Sequence, residues 1–124
     1  MQLSQENPDF TYVLRGTTAS TVLVNQQSLD ASFVLAPNQL LEAWGPASVD
    51  DLEPSHMEAL LDLKPSVAIL GTGPRQRFPS PAVMAAMLTR GVGLEVMDNA
   101  AAARTFNVLA TEGRKVVAAF LLPG

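Results

Sequence analysis

Residues 67–81 read VAILGTGPRQRFPSP: four apolar residues, a Gly-Thr-Gly, two arginines among three prolines, and a serine before the last of them. A short apolar run bounded by turn residues is the mark of a strand buried on both faces. Ser80-Pro81 starts a helix, with serine as N-cap and proline at the first helical position, where its missing N–H costs nothing. That helix runs AVMAAMLTR and stops at Gly91. LEVMD (94–98) reads as the next strand, and Asn99 as the cap of a further helix over AAAARTFNVL. KVVAAFLL (115–122) is almost continuously apolar, which predicts a central strand.

Upstream of Pro65 the pattern differs. TYVLRG (11–16), TVLVN (21–25), SFVLAP (32–37) and LLEAW (40–44) read as four strands, with turn residues at 17–20, 25–30 and 37–38. Ser55 and Glu58 have capping-box spacing ahead of Met57, Leu60 and Leu61, which predicts a helix ended by Pro65. Alternating helices and strands after residue 55 imply parallel pairing. The expected fold class is α/β: a single three-layer domain over residues 1–124, with a mixed sheet. Its N-terminal half is β-rich and antiparallel, and its C-terminal half consists of parallel βαβ units.

Composition bounds the chemistry. The chain has 124 residues, 48% hydrophobic and 16% charged, enough for a filled core without staples. It has no cysteine, which removes disulfides, thiolate metal sites and cysteine nucleophiles. The opening MQLSQENPDF has neither the basic-then-apolar pattern of a secretion signal nor that of a transit peptide, and no stretch predicts a transmembrane segment. A cytoplasmic location is the expectation. Net charge is −4, with nine acids and one base in residues 1–63 against seven bases and three acids in 64–124. The absence of a basic run argues against nucleic-acid binding.

The Gly-Thr-Gly turn invites comparison with phosphate-binding loops. A dinucleotide fingerprint requires a third glycine at the position Gln76 occupies, and a helix starting inside the motif. Pro74, Pro79 and Pro81 delay the helix, and no Gly-Lys-Ser/Thr follows for a P-loop. The loop nonetheless follows a parallel strand, as does the Asp98-Asn99 turn, and ligands of open α/β sheets sit beyond such strand ends. Helical periodicity puts Ala102, Phe106 and Leu109 on a core face and turns Arg104 and Asn107 away from it. Gly71, Thr72, Gly73, Arg75, Arg77, Asn99, Arg104 and Asn107 therefore form a candidate ligand-binding set around one electropositive spot suited to a small anion.

No catalytic set, metal site or cofactor is expected. His56 stands alone at a predicted helix start, the Asp50-Asp51-Glu53 cluster reads as a solvated approach to it, and no serine lies in a G-x-S-x-G elbow. Trp44, Met84 and Met87 read as core residues.

A β-rich start ending near Trp44, a strand closing on Gly-Thr-Gly, MDNAAAARTFNVL (97–109) and EGRKVVAAFLL (112–122) follow one another. In that order they resemble a small family of unknown function that includes a mitochondrial respiratory complex I assembly factor and an adipogenesis-associated protein. The resemblance covers nearly the whole chain, most specifically in R-T-F-N followed by E-G-R-x-V. It implies a single three-layer α/β domain with a mixed sheet, an assembly or accessory role and no established reaction. Many relatives carry cysteine just before R-T-[YF]-N; Ala103 stands there, so no thiol role carries over. Lacking a transit peptide, the chain is similar to a bacterial member. Two readings result: an accessory protein that binds another protein, or a small-molecule or anion-binding protein or enzyme using residues 71–77 and the start of the 99–109 helix.

Overall fold

The apolar run near the end of the sequence forms β8 (Val116–Pro123), buried at every residue but the last. Such a strand needs neighbours on both edges and cover on both faces, and it has them. The computed structural model describes residues 11–123; the reading of residues 1–10 lies outside these.

β4 (Ala31–Ala36) runs antiparallel to β8, and β6 (Val67–Gly71) runs parallel to it on the other side. β5 (Gln39–Leu41) extends the sheet beyond β4, and β7 (Leu94–Met97) extends it, parallel, beyond β6. The order is β5-β4-β8-β6-β7. This is the expected mixed sheet, antiparallel from the first half and parallel in the second. Phe33 and Phe120, opposed in register, stack with ring centroids 5.0 Å apart.

β1 (Leu14–Thr17), β2 (Val22–Val24) and β3 (Gln27–Leu29) form a separate antiparallel sheet of three strands. The sequence pattern predicts a turn over 25–30. The turn is shorter, because Asn25 takes a left-handed φ of +53° and its side chain accepts from Val13 N at 2.8 Å. Asparagine tolerates that conformation better than most residues, so the chain reverses within two residues and β3 pairs at once.

Alternate residues of the large sheet feed two cores. Phe33, Leu35, Ile69, Val116, Ala118 and Phe120 pack under the small sheet and α3 (Asn99–Thr111). On the opposite face, Val34, Ala68, Leu70, Val117 and Ala119 meet α1 (Glu58–Leu61), α2 (Pro81–Leu88) and the short 3-10 turns at 49–51 and 54–57. The result is three layers.

Two helix starts differ from the sequence reading. The chain around Ser55 opens as a 3-10 turn, Pro54–Met57, in which Glu53 N donates to His56 Nδ1 at 3.0 Å. Pro54 fixes the first position, so the cap moves ahead of Ser55. On α3 the cap is Asp98, whose Oδ1 accepts from Ala101 N at 2.8 Å, and not Asn99, which is drawn into the core. Ser80 caps α2 as its Ser-Pro pair predicts. No helix of the described residues is long and apolar enough to cross a membrane.

Candidate functional site

The residues beyond the carboxyl ends of β6 and β7 are tied to one another by their own hydrogen bonds. Gly71 ends β6 where a β-carbon would run into Asn99 Oδ1 and lie 3.1 Å from Phe120 and 3.2 Å from Ala102. Glycine is required there because α3 approaches so closely. Gly73 takes a φ of +100°, the second conformational reason for the motif.

Asn99 is 2% exposed. Its Oδ1 accepts from Gly73 N at 3.0 Å, its Nδ2 donates to Leu121 O at 3.1 Å, and its backbone N donates to Gly73 O at 2.8 Å. A buried amide with both ends satisfied joins β6, β8 and α3 at one point. Thr72 does the same for the loop: its hydroxyl donates to Arg75 O at 2.6 Å and accepts from Arg77 N at 3.1 Å. Arg77 reaches Asp50 at 2.9 Å, an exposed ion pair.

Gln76 closes an edge. Met97 O accepts from Thr72 N, so it faces β6, and Val96 O, one residue earlier, faces outward. Gln76 Nε2 donates to that carbonyl at 2.9 Å. The loop thereby covers part of the free edge of the sheet, a protection that edge strands commonly need.

Helical periodicity turns Asn107 away from the core. It lies half-buried against β1 instead, because the small sheet covers that side of α3. Its Oδ1 accepts from Leu14 N at 2.9 Å and its Nδ2 donates to Leu14 O at 2.7 Å. Arg104 is exposed and lines a depression of about 160 Å³ with Arg15, Gly16 and Asn107. Arg75 and Arg77 line another, of about 340 Å³, with Thr72 and Leu121. A third, of about 290 Å³, shares Gly73 and Pro74 with the second and Thr17 and Ala100 with the first. Thr72, Gly73, Arg75 and Arg77 thus lie beyond the end of β6 with Asn99 beside them, whereas Arg104 and Asn107, midway along α3, line a separate depression at the far end of three that adjoin. The helix N-termini there are occupied by Ser80 and Asp98, so an incoming anion meets capped helices.

His56 is held in the 3-10 turn and lies edge-on to Trp44, at 6.1 Å between ring centroids. Among the described residues, no group of three or more His, Cys, Asp or Glu is placed to hold a metal ion. Sequence reasoning did not foresee that the basic residues after position 63 divide between two ends of the sheet. Arg75 and Arg77 lie at the carboxyl edge and Arg104 along α3, while Lys64, Arg114 and Lys115 gather at the amino ends of β6 and β8.

The family described as "Protein of unknown function (DUF498/DUF598)" matches residues 14–121, well over half of the chain. The chain belongs to this family. Among curated relatives, it is 31% identical over 123 residues to the "NADH dehydrogenase [ubiquinone] 1 alpha subcomplex assembly factor 3" of Bos taurus. That match covers 98% of this chain but 66% of the bovine protein, so the chain spans just under two thirds of that relative's length. A "13 kDa major membrane protein" of Francisella tularensis is 24% identical over 119 residues, covering 94% of this chain and 95% of that one. A Xanthomonas campestris protein of NMR-determined structure superposes with a TM-score of 0.84 at 55% identity, covering 100% of this chain and 94% of that chain. The R-T-F-N segment that marked the resemblance thus includes the asparagine anchoring β1 to α3.

Proposed function

We propose that this DUF498/DUF598 member is a non-catalytic accessory protein, working as a single domain over residues 1–124, that docks on another protein and aids its assembly. The observation that carries the reading is the 31% identity, across 98% of this chain, to a protein named as an assembly factor. The site chemistry agrees. Asn99, Asn107 and Thr72 are committed to backbone partners, which leaves them to hold the fold and not to perform a reaction.

The docking surface proposed is the braced loop 74–80. Phe78 is 69% exposed there, between residues tied down through Thr72, Gln76 and Asp50. An aromatic side chain on a pre-ordered loop loses little entropy on burial against a partner, the usual property of an interface anchor. Cytoplasmic residence is part of the reading, and the Francisella relative's printed name is the argument against it. Fractionation of the source cells decides between soluble and membrane pools.

The test is capture on the tagged full chain, with Phe78→Ser as control. The expected result is a discrete retained protein that Phe78→Ser loses, with Tm unchanged within about 2 °C for a surface change. Absence of any specifically retained protein overturns the function, and equal retention by Phe78→Ser overturns the docking loop. A second reading, a small anion held near Arg104, is favoured by one observation: Arg15 and Arg104 share a depression and neither has an ion-pair partner among the described residues. Arg104→Lys would then weaken anion binding and leave Tm unchanged, since lysine cannot reproduce arginine's paired hydrogen bonds.

A further inference from the structure

At the amino ends of β6 and β8, away from the docking loop, a groove of about 460 Å³ is lined by Lys64, Arg114 and Lys115 over a floor that includes the half-buried Ala36, Pro37 and Leu63. Among the described residues, no aspartate or glutamate lines it. Two segments far apart in sequence bring the charges together. Ser66 N and Val67 N donate to Lys115 O at 2.8 and 3.3 Å, and Ser66 Oγ donates to the same oxygen at 3.3 Å. The turn that carries Arg114 is closed by Gly113 N on Ala110 O and Arg114 N on Leu109 O, each at 3.0 Å. The backbone that displays the cations is therefore fixed.

Three features mark the groove as a binding surface. The chain is acidic overall, at −4, yet three positive charges converge here, and none forms an ion pair among the described residues. Like charges so gathered repel, and a negatively charged occupant relieves that repulsion. Lys64 also holds a φ of +55°, a conformation that glycine or asparagine adopts more readily. Lysine at that position sets a cation on the groove at the expense of the backbone.

We infer that this groove binds an acidic, extended segment of a partner polypeptide, with carboxylates on the three cations and a short aliphatic side chain on the floor. Every polar side chain of the lining is exposed. A free phosphate is normally held by convergent, preorganised donors, whereas rim cations flanking an apolar floor suit a chain that carries both charges and methyl groups. The inference concerns a different face from the Phe78 loop, so either can fail alone.

The test uses the full chain and a fluorescein-labelled hexapeptide of alternating glutamate and leucine. Its glutamine-for-glutamate counterpart and inorganic phosphate serve as comparison probes. Anisotropy is read with amide NMR shifts. The expected result is saturable binding by the glutamate peptide alone, weakened by added salt, with shifts at residues 64–67 and 113–116. The double variant Arg114→Gln, Lys115→Gln should weaken it about tenfold, as two partly screened ion pairs would. Phe78→Ser should bind the peptide as the parent does.

Equal binding of the glutamine peptide, shifts confined to the carboxyl edge, or displacement by phosphate at matching concentration with the same amides shifted would each overturn the inference. The double variant can also lose stability, because the two cations flank the end of α3. Lys64→Gly covers that outcome, since it removes one charge and relaxes the backbone. Tm held or raised together with weaker peptide binding supports the inference, and unchanged binding refutes it.

Discussion

Asn107 separates a structural role from a binding one more sharply than any other candidate residue. Its side-chain amide takes the place of a neighbouring strand for β1, exchanging two hydrogen bonds with Leu14 at 2.9 and 2.7 Å. Leu14 itself is 4% exposed. Its N–H and C=O point away from β2, because the adjacent Val13 makes the bonds on that side. Asn107→Ala therefore leaves one donor and one acceptor of the Leu14 backbone unpaired at the contact between the small sheet and α3. Each such group costs about 1–3 kcal/mol when fully buried, and access of water to a half-buried site reduces the pair to about 2 kcal/mol. With an unfolding entropy of about 2.1 cal/mol/K per residue, a chain of this length should lose about 8 °C in Tm. Circular dichroism measures that loss, and hydrogen exchange should show the Leu14 amide losing protection before those of β8. Arg104→Ala, three residues earlier and exposed, should change stability by no more than about 0.5 kcal/mol. A fall below 2 °C for Asn107→Ala, or an equal fall for Arg104→Ala, would refute the assignment of Asn107 as the anchor of β1.

Gly71→Ala should destabilise by about 1–3 kcal/mol through overpacking, since its β-carbon meets Asn99, Phe120 and Ala102. Urea denaturation should show a lower midpoint with an unchanged slope, and a midpoint equal to the parent's would mean that α3 is free to retreat. Arg77→Gln removes a 2.9 Å ion pair whose side chains are 46% and 76% exposed, so the expected loss is at most about 0.5 kcal/mol. Melting curves at low and high salt should be nearly superimposable with the parent's, and a large salt-dependent loss would count against this reading.

What the sequence revealed of this fold came from local chemistry. VAIL and VVAAFLL are apolar on both faces, which calls for cover above and below, so the middle of the sheet was legible, while LEVM, with Glu95 exposed, was legible from the alternation of helices and strands. Ser80-Pro81 fixed the start of α2 because N-cap and N1 preferences act on adjacent residues. β3 was not legible: Gln27-Ser28-Leu29 has no β-branched run, and only the left-handed Asn25 forces it to pair. Nor did helical periodicity place Asn107. The wheel separates polar from apolar positions, but a polar face can still be buried when a second sheet supplies backbone partners to it. Asn99 makes the same point. As an asparagine ahead of AAAARTFNVL it reads as the cap, whereas its amide pairs with Gly73 and Leu121, 26 and 22 residues away in the chain. The basic groove escaped notice because its cations come from segments that meet only through the pairing of β6 with β8.

The position of β8 bears on how the chain is made. In order of synthesis it follows the seven other strands of the described residues, yet it lies in the middle of the large sheet, joining β4 to β6. Until it leaves the ribosome, the β4–β5 hairpin and the β6–β7 pair each present an unpaired edge, and Phe33, Val34 and Leu35 lack the strand that covers them. The nascent chain thus passes through an interval of two half-sheets whose sticky edges suit aggregation or a chaperone. Pairs such as Val34 with Ala119 close loops of most of the chain's length in the last step, which makes sheet completion slow and all-or-none. A protein so arranged is most exposed to misassembly in the interval before β8 emerges.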